Sequence, residues 1–174
     1  IIGHRSFGED KKNVTEDAIA LMTGVQNQGV FSTGKHFPGH GSVRADSHTD
    51  DVCDPRPLEE IEQFDLKPFA ALSEKLDAMM MAHVLYPEVD QLPAGYSPFW
   101  IKTVLRKRLA FKGTVFSDDL GMYAAKVAGS LLDRARESIL AGCDAVLVCD
   151  PDDVRQLLAD ADDLCIDTEI ALKR

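Results

Sequence analysis

Gly113-Thr114-Val115-Phe116-Ser117-Asp118-Asp119-Leu120 reads as a buried strand that ends on carboxylates. Its apolar core does not alternate with polar residues, which is the pattern of a parallel strand covered on both faces. Three further runs, residues 30–34, 76–82 and 144–149, have the same length and flanks, and Ile1-Ile2 would be the end of a fifth strand. Helical patterns fill the intervals. The first sets Ala18, Leu21, Met22 and Val25 on one face, with Thr15 as N-cap and Gly29 past the end. The second covers residues 58–75 and is expected to kink or split at Pro68, with Phe69 and Leu72 facing inward. The third opens on Ser97 and Pro98 and carries Ile101, Val104, Leu105 and Leu109. The fourth starts at Ser130, has Asp133 at capping-box spacing and stops at Gly142; the fifth begins near Pro151 with Val154, Leu157 and Leu158.

The order is β-α-β-α-β-α-β-α, which demands a parallel sheet with helices outside it, as a barrel or a doubly wound sheet. Polar residues follow the runs directly: Lys35 and His36, then His83, then Asp118 and Asp119, then Asp150. Convergence of such residues at the C-terminal strand ends favours the barrel. The expected fold class is therefore α/β, a (β/α)8 TIM barrel, with residues 1–174 forming one partial catalytic domain. The chain supplies four or five of the eight units and is read as an incomplete portion lacking the N-terminal strands. It starts at Ile1 without methionine, which fits a segment of a longer or processed protein.

A length of 174 residues and 45% hydrophobic content give one domain with an ample core. The formal net charge of −10 speaks against nucleic acid as the main partner. No apolar run approaches the ~20 residues of a membrane span, and Ile1-Ile2-Gly3 lacks the basic start of a secretory signal. Cys53, Cys143, Cys149 and Cys165 form no CxxC pair and are read as buried reduced thiols.

The chemistry lies at two places. One is the strand end: Asp118 and Asp119 point opposite ways, so Asp118 is the candidate for chemistry and Asp119 is expected to cap the following helix. The other is Lys35-His36-Phe37-Pro38-Gly39-His40-Gly41-Ser42-Val43-Arg44-Ala45-Asp46-Ser47-His48, which Pro38 and Gly39 prevent from being helical. Asp46 lies two residues from His48 and can fix its tautomer and raise its basicity, making His48 a candidate general acid/base. A nucleophilic carboxylate with a loop-borne acid/base suits two-step glycosyl transfer through a covalent intermediate. Lys35 and His36 offer donors to sugar hydroxyls, and Arg5 would add another. Residues 38–41 read as a hinge, with Asp46 and His48 beyond it on a loop more mobile than Lys35. A competing reading is a metal-dependent hydrolase built on His36, His40, His48, His83 and Asp118. Against it, Lys35 beside His36 would repel a cation. His40 is expected to shape the loop, and His83 to bond neighbouring backbone.

The two stretches together resemble the signatures of bacterial β-N-acetylhexosaminidases of glycoside hydrolase family 3. The resemblance rests on Lys35-His36-Phe37-Pro38-Gly39-His40-Gly41 with Asp46-Ser47-His48, and on the segment from Val104-Leu105-Arg106 through Asp118. It runs from Arg5-Ser6-Phe7-Gly8 to Ala141-Gly142-Cys143-Asp144. It implies Asp118 as nucleophile, His48 as acid/base with Asp46 as its partner, and Arg5, Lys35 and His36 as ligands of N-acetylglucosamine. It also implies a retaining exo-acting enzyme that removes terminal β-linked N-acetylglucosamine from peptidoglycan turnover fragments. No cofactor or metal is implied, the partner is a small carbohydrate, and the enzyme is expected as a cytoplasmic monomer. Phosphate as acceptor, or a non-catalytic fragment, are the other readings.

Overall fold

The computed structural model describes residues 6–43 and 52–164. Arg5, Asp46 and His48, the expected strand at Ile1-Ile2 and the expected mobile loop half therefore lie outside the described residues. Four parallel strands, β1 (Thr33–Phe37), β2 (Ala78–Met81), β3 (Thr114–Asp119) and β4 (Ala145–Leu147), form one sheet in the order β1-β2-β3-β4. Each strand lies beside the next one in sequence. A doubly wound sheet would reverse its order at a switch point; this sheet has no reversal among the described residues and winds one way, as a barrel wall does. The chain is a portion of a (β/α)8 barrel.

Helix α1 (Lys11–Gln26) precedes β1, and α2 (Leu58–Gln63) and α3 (Leu66–Leu72) lie between β1 and β2. A helix over Phe99–Arg108, wound in the wide π register, links β2 to β3; α4 (Leu131–Ala141) links β3 to β4, and α5 (Pro151–Ala159) follows. The N-cap of α1 is Asp10, whose carboxylate accepts from Lys12 and Asn13 N–H, and not Thr15, whose hydroxyl donates back to the Lys11 carbonyl. The expected split of the second helix occurs at Phe64 and Asp65. Pro68 sits in the first turn of α3, where no intrahelical N–H is needed. Ser97 caps through its hydroxyl, which accepts from Trp100 N–H at 3.1 Å. The Ser130–Asp133 capping box forms as expected, and Gly142 ends α4 at φ +124°.

The first strand is displaced from its expected position. Val30 and Phe31 are 55% and 85% exposed, and the strand begins only at Thr33, so Lys35 and His36 lie within β1. Asp118 and Asp119 likewise lie within β3, at its C-terminal end. The main core fills the space between sheet and helices with Phe37, Met79, Met81, Ile61, Ile101 and Trp100, all fully buried. Two carboxylates lock the opposite, N-terminal edge. Asp77 Oδ2 accepts from Ser32 N–H at 2.8 Å, Ser32 Oγ at 3.0 Å and Gln26 Nε2 at 3.0 Å, tying α1 and the approach to β1 onto the start of β2. Asp144 Oδ2 accepts from Val115 N–H at 2.7 Å and from Arg106 Nη2 at 2.6 Å, tying β3 to the chain that enters β4.

Of the cysteines, Cys143 is buried as expected, but Cys53 and Cys149 are exposed. Cys149 lies beyond the short β4, and Cys53 forms an isolated bridge with Leu85 outside the sheet. Cys165 is outside the described residues. Among the described residues no helix is long and apolar enough to cross a membrane.

Candidate active site

The C-terminal ends of β1, β2 and β3 bring His36, His83 and Asp118 to one edge of the sheet. Asp118 is held from two sides. Its Oδ1 accepts from the N–H of Asp119 at 2.9 Å, while Oδ2 faces His36 Nε2 at 3.5 Å. Both side chains are largely buried, at 15% and 10% exposure. A carboxylate so oriented, beside an imidazole, can attack an electrophilic carbon. Lys35 is exposed on the same strand as His36, and the peptide joining them is cis. The β1–β2 register shifts between Gly34 and Phe37, at these two residues. The rings of His36 and His40 meet edge-on with centroids 6.0 Å apart.

Asp119 has a different task. Its Oδ1 accepts from Gly121 N–H at 3.1 Å and from Cys149 N–H at 3.0 Å. It closes the turn after β3 and ties it to the chain leaving β4. Its role is structural, as expected, but the partner is a turn and a neighbouring strand rather than a helix N-terminus. Desolvation, followed by the Asp119 and Asp118 carboxylates, pushes the Cys149 thiol up from its ordinary value and keeps it protonated.

His83 is 2% exposed and its Nε2 lies 3.2 Å from the Asp119 carbonyl oxygen, the backbone bond expected of it. Burial pushes its ionisation below the ordinary histidine value, against the opposing pull of Asp118. Among the described residues no three His, Cys, Asp or Glu side chains converge as a metal-binding group. Of the residues in the competing metal reading, His36 faces the Asp118 carboxylate, His40 lies edge-on to His36, and His83 bonds backbone; His48 lies outside the described residues.

A clamp beneath the loop was not anticipated. Arg56 Nη2 and Nε contact Asp54 at 2.7 and 3.0 Å, and its Nη1 reaches Asp65 Oδ2 at 2.8 Å. Gly39 packs against the same Asp65: a Cβ there would lie 2.6 Å from the Asp65 Cβ. The Gly39 carbonyl accepts from the buried Tyr86 hydroxyl. Gly39, read as part of a hinge, is therefore anchored. Asp54 and Arg56 two residues apart, after an apolar Val52, was the available signal; Asp65 could be added only in three dimensions.

Strands in sequential order, with a largely buried carboxylate at the end of one of them, define a portion of an α/β barrel with polar groups gathered at its C-terminal strand ends. The chain belongs to glycosyl hydrolase family 3: residues 1–171 match the model of its N-terminal domain. Relatives include the beta-hexosaminidases of Idiomarina loihiensis, 50% identical over 149 residues, and Tolumonas auensis, 52% identical over 151 residues. Each alignment takes in 86% of this chain and 45% of the relative, so the chain spans about half the length of the curated relatives it matches. The crystal structure of NagZ from Neisseria gonorrhoeae in complex with N-trifluoroacetyl-D-glucosamine superposes with a TM-score of 0.84 at 46% identity, covering 98% of this chain and 49% of that one.

Proposed function

We propose that the protein containing this chain is a retaining exo-β-N-acetylglucosaminidase. Asp118 Oδ attacks the anomeric carbon of a terminal β-linked N-acetylglucosamine, and the bond from that carbon to the leaving oxygen breaks as His48 protonates the oxygen. In the second step His48 takes a proton from water, whose oxygen attacks the same carbon and releases the Asp118 carboxylate. Two displacements restore the β configuration. Asp46 orients His48, and Arg5, Lys35 and His36 hold the sugar. The proposed substrates are peptidoglycan turnover fragments, N-acetylglucosamine linked to anhydro-N-acetylmuramic acid and its peptides, met by a monomer in the cytoplasm.

The observation that carries this reading is the Asp118 carboxylate, fixed by Asp119 N–H and facing His36 at the end of β3. Further support comes from relatives named beta-hexosaminidase and from a neighbour whose crystals hold an N-acylated glucosamine. The test uses the full-length protein and para-nitrophenyl β-N-acetylglucosaminide. Turnover with the β-anomer as first product is expected, and Asp118→Ala is expected to reduce the rate by at least ~100-fold, about 2.7 kcal/mol of barrier. Turnover with inversion, or a loss under about tenfold, overturns the assignment. Sugar phosphate formed when phosphate is supplied would mark a phosphorylase, and full activity after chelation would dismiss the metal-dependent alternative.

A further inference from the structure

Asp118 stands where β3 has lost its pairing with β2. Pairing between β2 and β3 runs from Ala78 opposite Thr114 to Met80 opposite Phe116 and goes no further. On the other side, the β3–β4 register shifts between Phe116 and Asp119. Asp118 therefore has no ladder partner on the β2 side, while on the β4 side pairing resumes just after it, at Asp119 opposite Leu147, where Leu120 N–H donates to the Leu147 carbonyl at 2.9 Å. What crosses the gap on the β2 side is the His83 side chain, reaching the Asp119 carbonyl, which also accepts from Met122 N–H at 3.2 Å.

The His83 ring is itself tightly held. Its own backbone neighbours are fixed, because Ala82 N–H donates to the Phe37 carbonyl at 2.8 Å while the Ala82 and Val84 carbonyls accept from Gly95 and Ala94. The Tyr96 ring lies against it at 5.7 Å and 31°, and the Tyr96 hydroxyl is anchored on the Ala125 carbonyl at 2.9 Å. Gly95 leaves room for the other edge: a Cβ there would sit 3.4 Å from His83 Nδ1. A carbonyl can only accept, so Nε2 carries the proton. Nδ1 is buried and has no hydrogen-bond partner among the described residues. A second proton on this ring would be an orphaned buried donor, so the ring stays neutral.

We propose that His83 is a positioning residue for Asp118: a neutral, buried imidazole that replaces the missing sheet hydrogen bonds at the end of β3 and fixes the main chain on which the carboxylate is aimed. It does not reach substrate, being sealed from solvent. The division of labour is then clear. His36 faces the carboxylate itself, while His83 holds the backbone and leaves the carboxylate charge untouched. This inference rests on the reading of Asp118 as nucleophile.

The experiment compares His83→Met, which fills the space without a donor, with His83→Gln, which keeps a donor, in the full-length protein acting on the aryl glycoside. His83→Met is expected to lower kcat by about 10- to 100-fold with KM held within about twofold, the effect of a slightly misaimed reacting group. His83→Gln is expected to restore kcat to within about threefold of the wild type. Equal losses in both variants, or a KM rise in place of a kcat fall, overturn the proposal. Should His83→Met not fold, nitrogen NMR of histidine-labelled wild-type protein decides. A His83 ring locked as the Nε2–H tautomer and not titrating between about pH 5 and 8 supports it, and an Nδ1–H or titrating ring overturns it. Asp118→Ala with added azide separates the two ideas. Formation of the α-glycosyl azide upholds Asp118 as nucleophile whatever the His83 variants do, and undiminished hydrolysis by Asp118→Ala overturns that reading independently.

Discussion

Replacing Arg56 by methionine tests the clamp beneath the loop. Asp54 is 3% exposed, and its carboxylate receives three contacts from the Arg56 side chain, at 2.7, 3.0 and 3.2 Å, plus the Arg56 N–H at 3.1 Å. The substitution removes the three side-chain contacts and also the 2.8 Å pairing with Asp65, leaving two carboxylates near one another without their cation. Breaking a buried pair from one side costs ~3–5 kcal/mol. Arg56 keeps 18% side-chain exposure, so partial hydration pulls the expectation to the low end, about 3 kcal/mol. With a urea m-value of about 2 kcal/mol/M for a chain of this size, the midpoint should fall by roughly 1.5 M. Arg56→Lys returns a charge but not the fork and should cost about 1–2 kcal/mol. Replacing both Asp54 and Arg56 by leucine should be milder than Arg56→Met alone, since no charge is then stranded at Asp54. A cost below about 1 kcal/mol for Arg56→Met, or a double replacement at least as costly as Arg56→Met alone, would refute a buried clamp at Asp54.

Asp119→Ala removes the acceptor of two backbone N–H groups and should lower stability by about 1–3 kcal/mol in thermal unfolding. Gly113→Ala would drive a methyl into the Asp77 carbonyl, a backbone atom that cannot swing away, and should depress Tm by several degrees. Burial raises the ionisation of Tyr86 and Tyr96 above the ordinary phenol value. Both stay neutral in the fold and ionise once unfolded, so stability should hold below about pH 10 and fall as pH rises past it, read by ultraviolet difference titration against unfolding. At the acid end His83, lowered in the fold by burial, binds its proton more readily once unfolded. Stability should therefore decline as pH drops below about 6.5, and the slope should be shallower in His83→Gln.

Much of the sheet was legible because uniformly apolar runs leave few alternatives. The runs at residues 113–117 and 144–149 fall on β3 and β4, β3 continuing two residues further through Asp118 and Asp119, and the Ser130–Asp133 box marks the start of α4. The errors share a cause: the sequence shows which residues are apolar, not which find a partner. Val30 and Phe31 have the composition of strand, yet they stand exposed, and the strand is built from the more polar residues after them. Thr15 precedes the apolar face and reads as a cap, but Asp10, five residues earlier, accepts from the Lys12 and Asn13 N–H groups. At the site, Asp118, His36 and the backbone role of His83 could be read from their place at strand ends. The contact of His36 with Asp118 joins residues 82 positions apart in the chain, and the Asp54–Arg56–Asp65 clamp needs α3 folded back beside it; neither is encoded by local spacing.

The order β1-β2-β3-β4 has a consequence for how such a chain can change. His36, His83 and Asp118 owe their mutual distances to the neighbouring strands that carry them to one edge, and to the His83 bond across the strand ends, not to the length of chain between them. A residue added to the turn at Gly142, which leads into β4, would leave those distances alone, whereas one added inside β2 or β3 would rotate side chains to the opposite face. The strands act as a ruler and the helices as slack. Variation is cheap where α4 and α5 meet solvent and costly over the few residues of each strand that hold the site in measure.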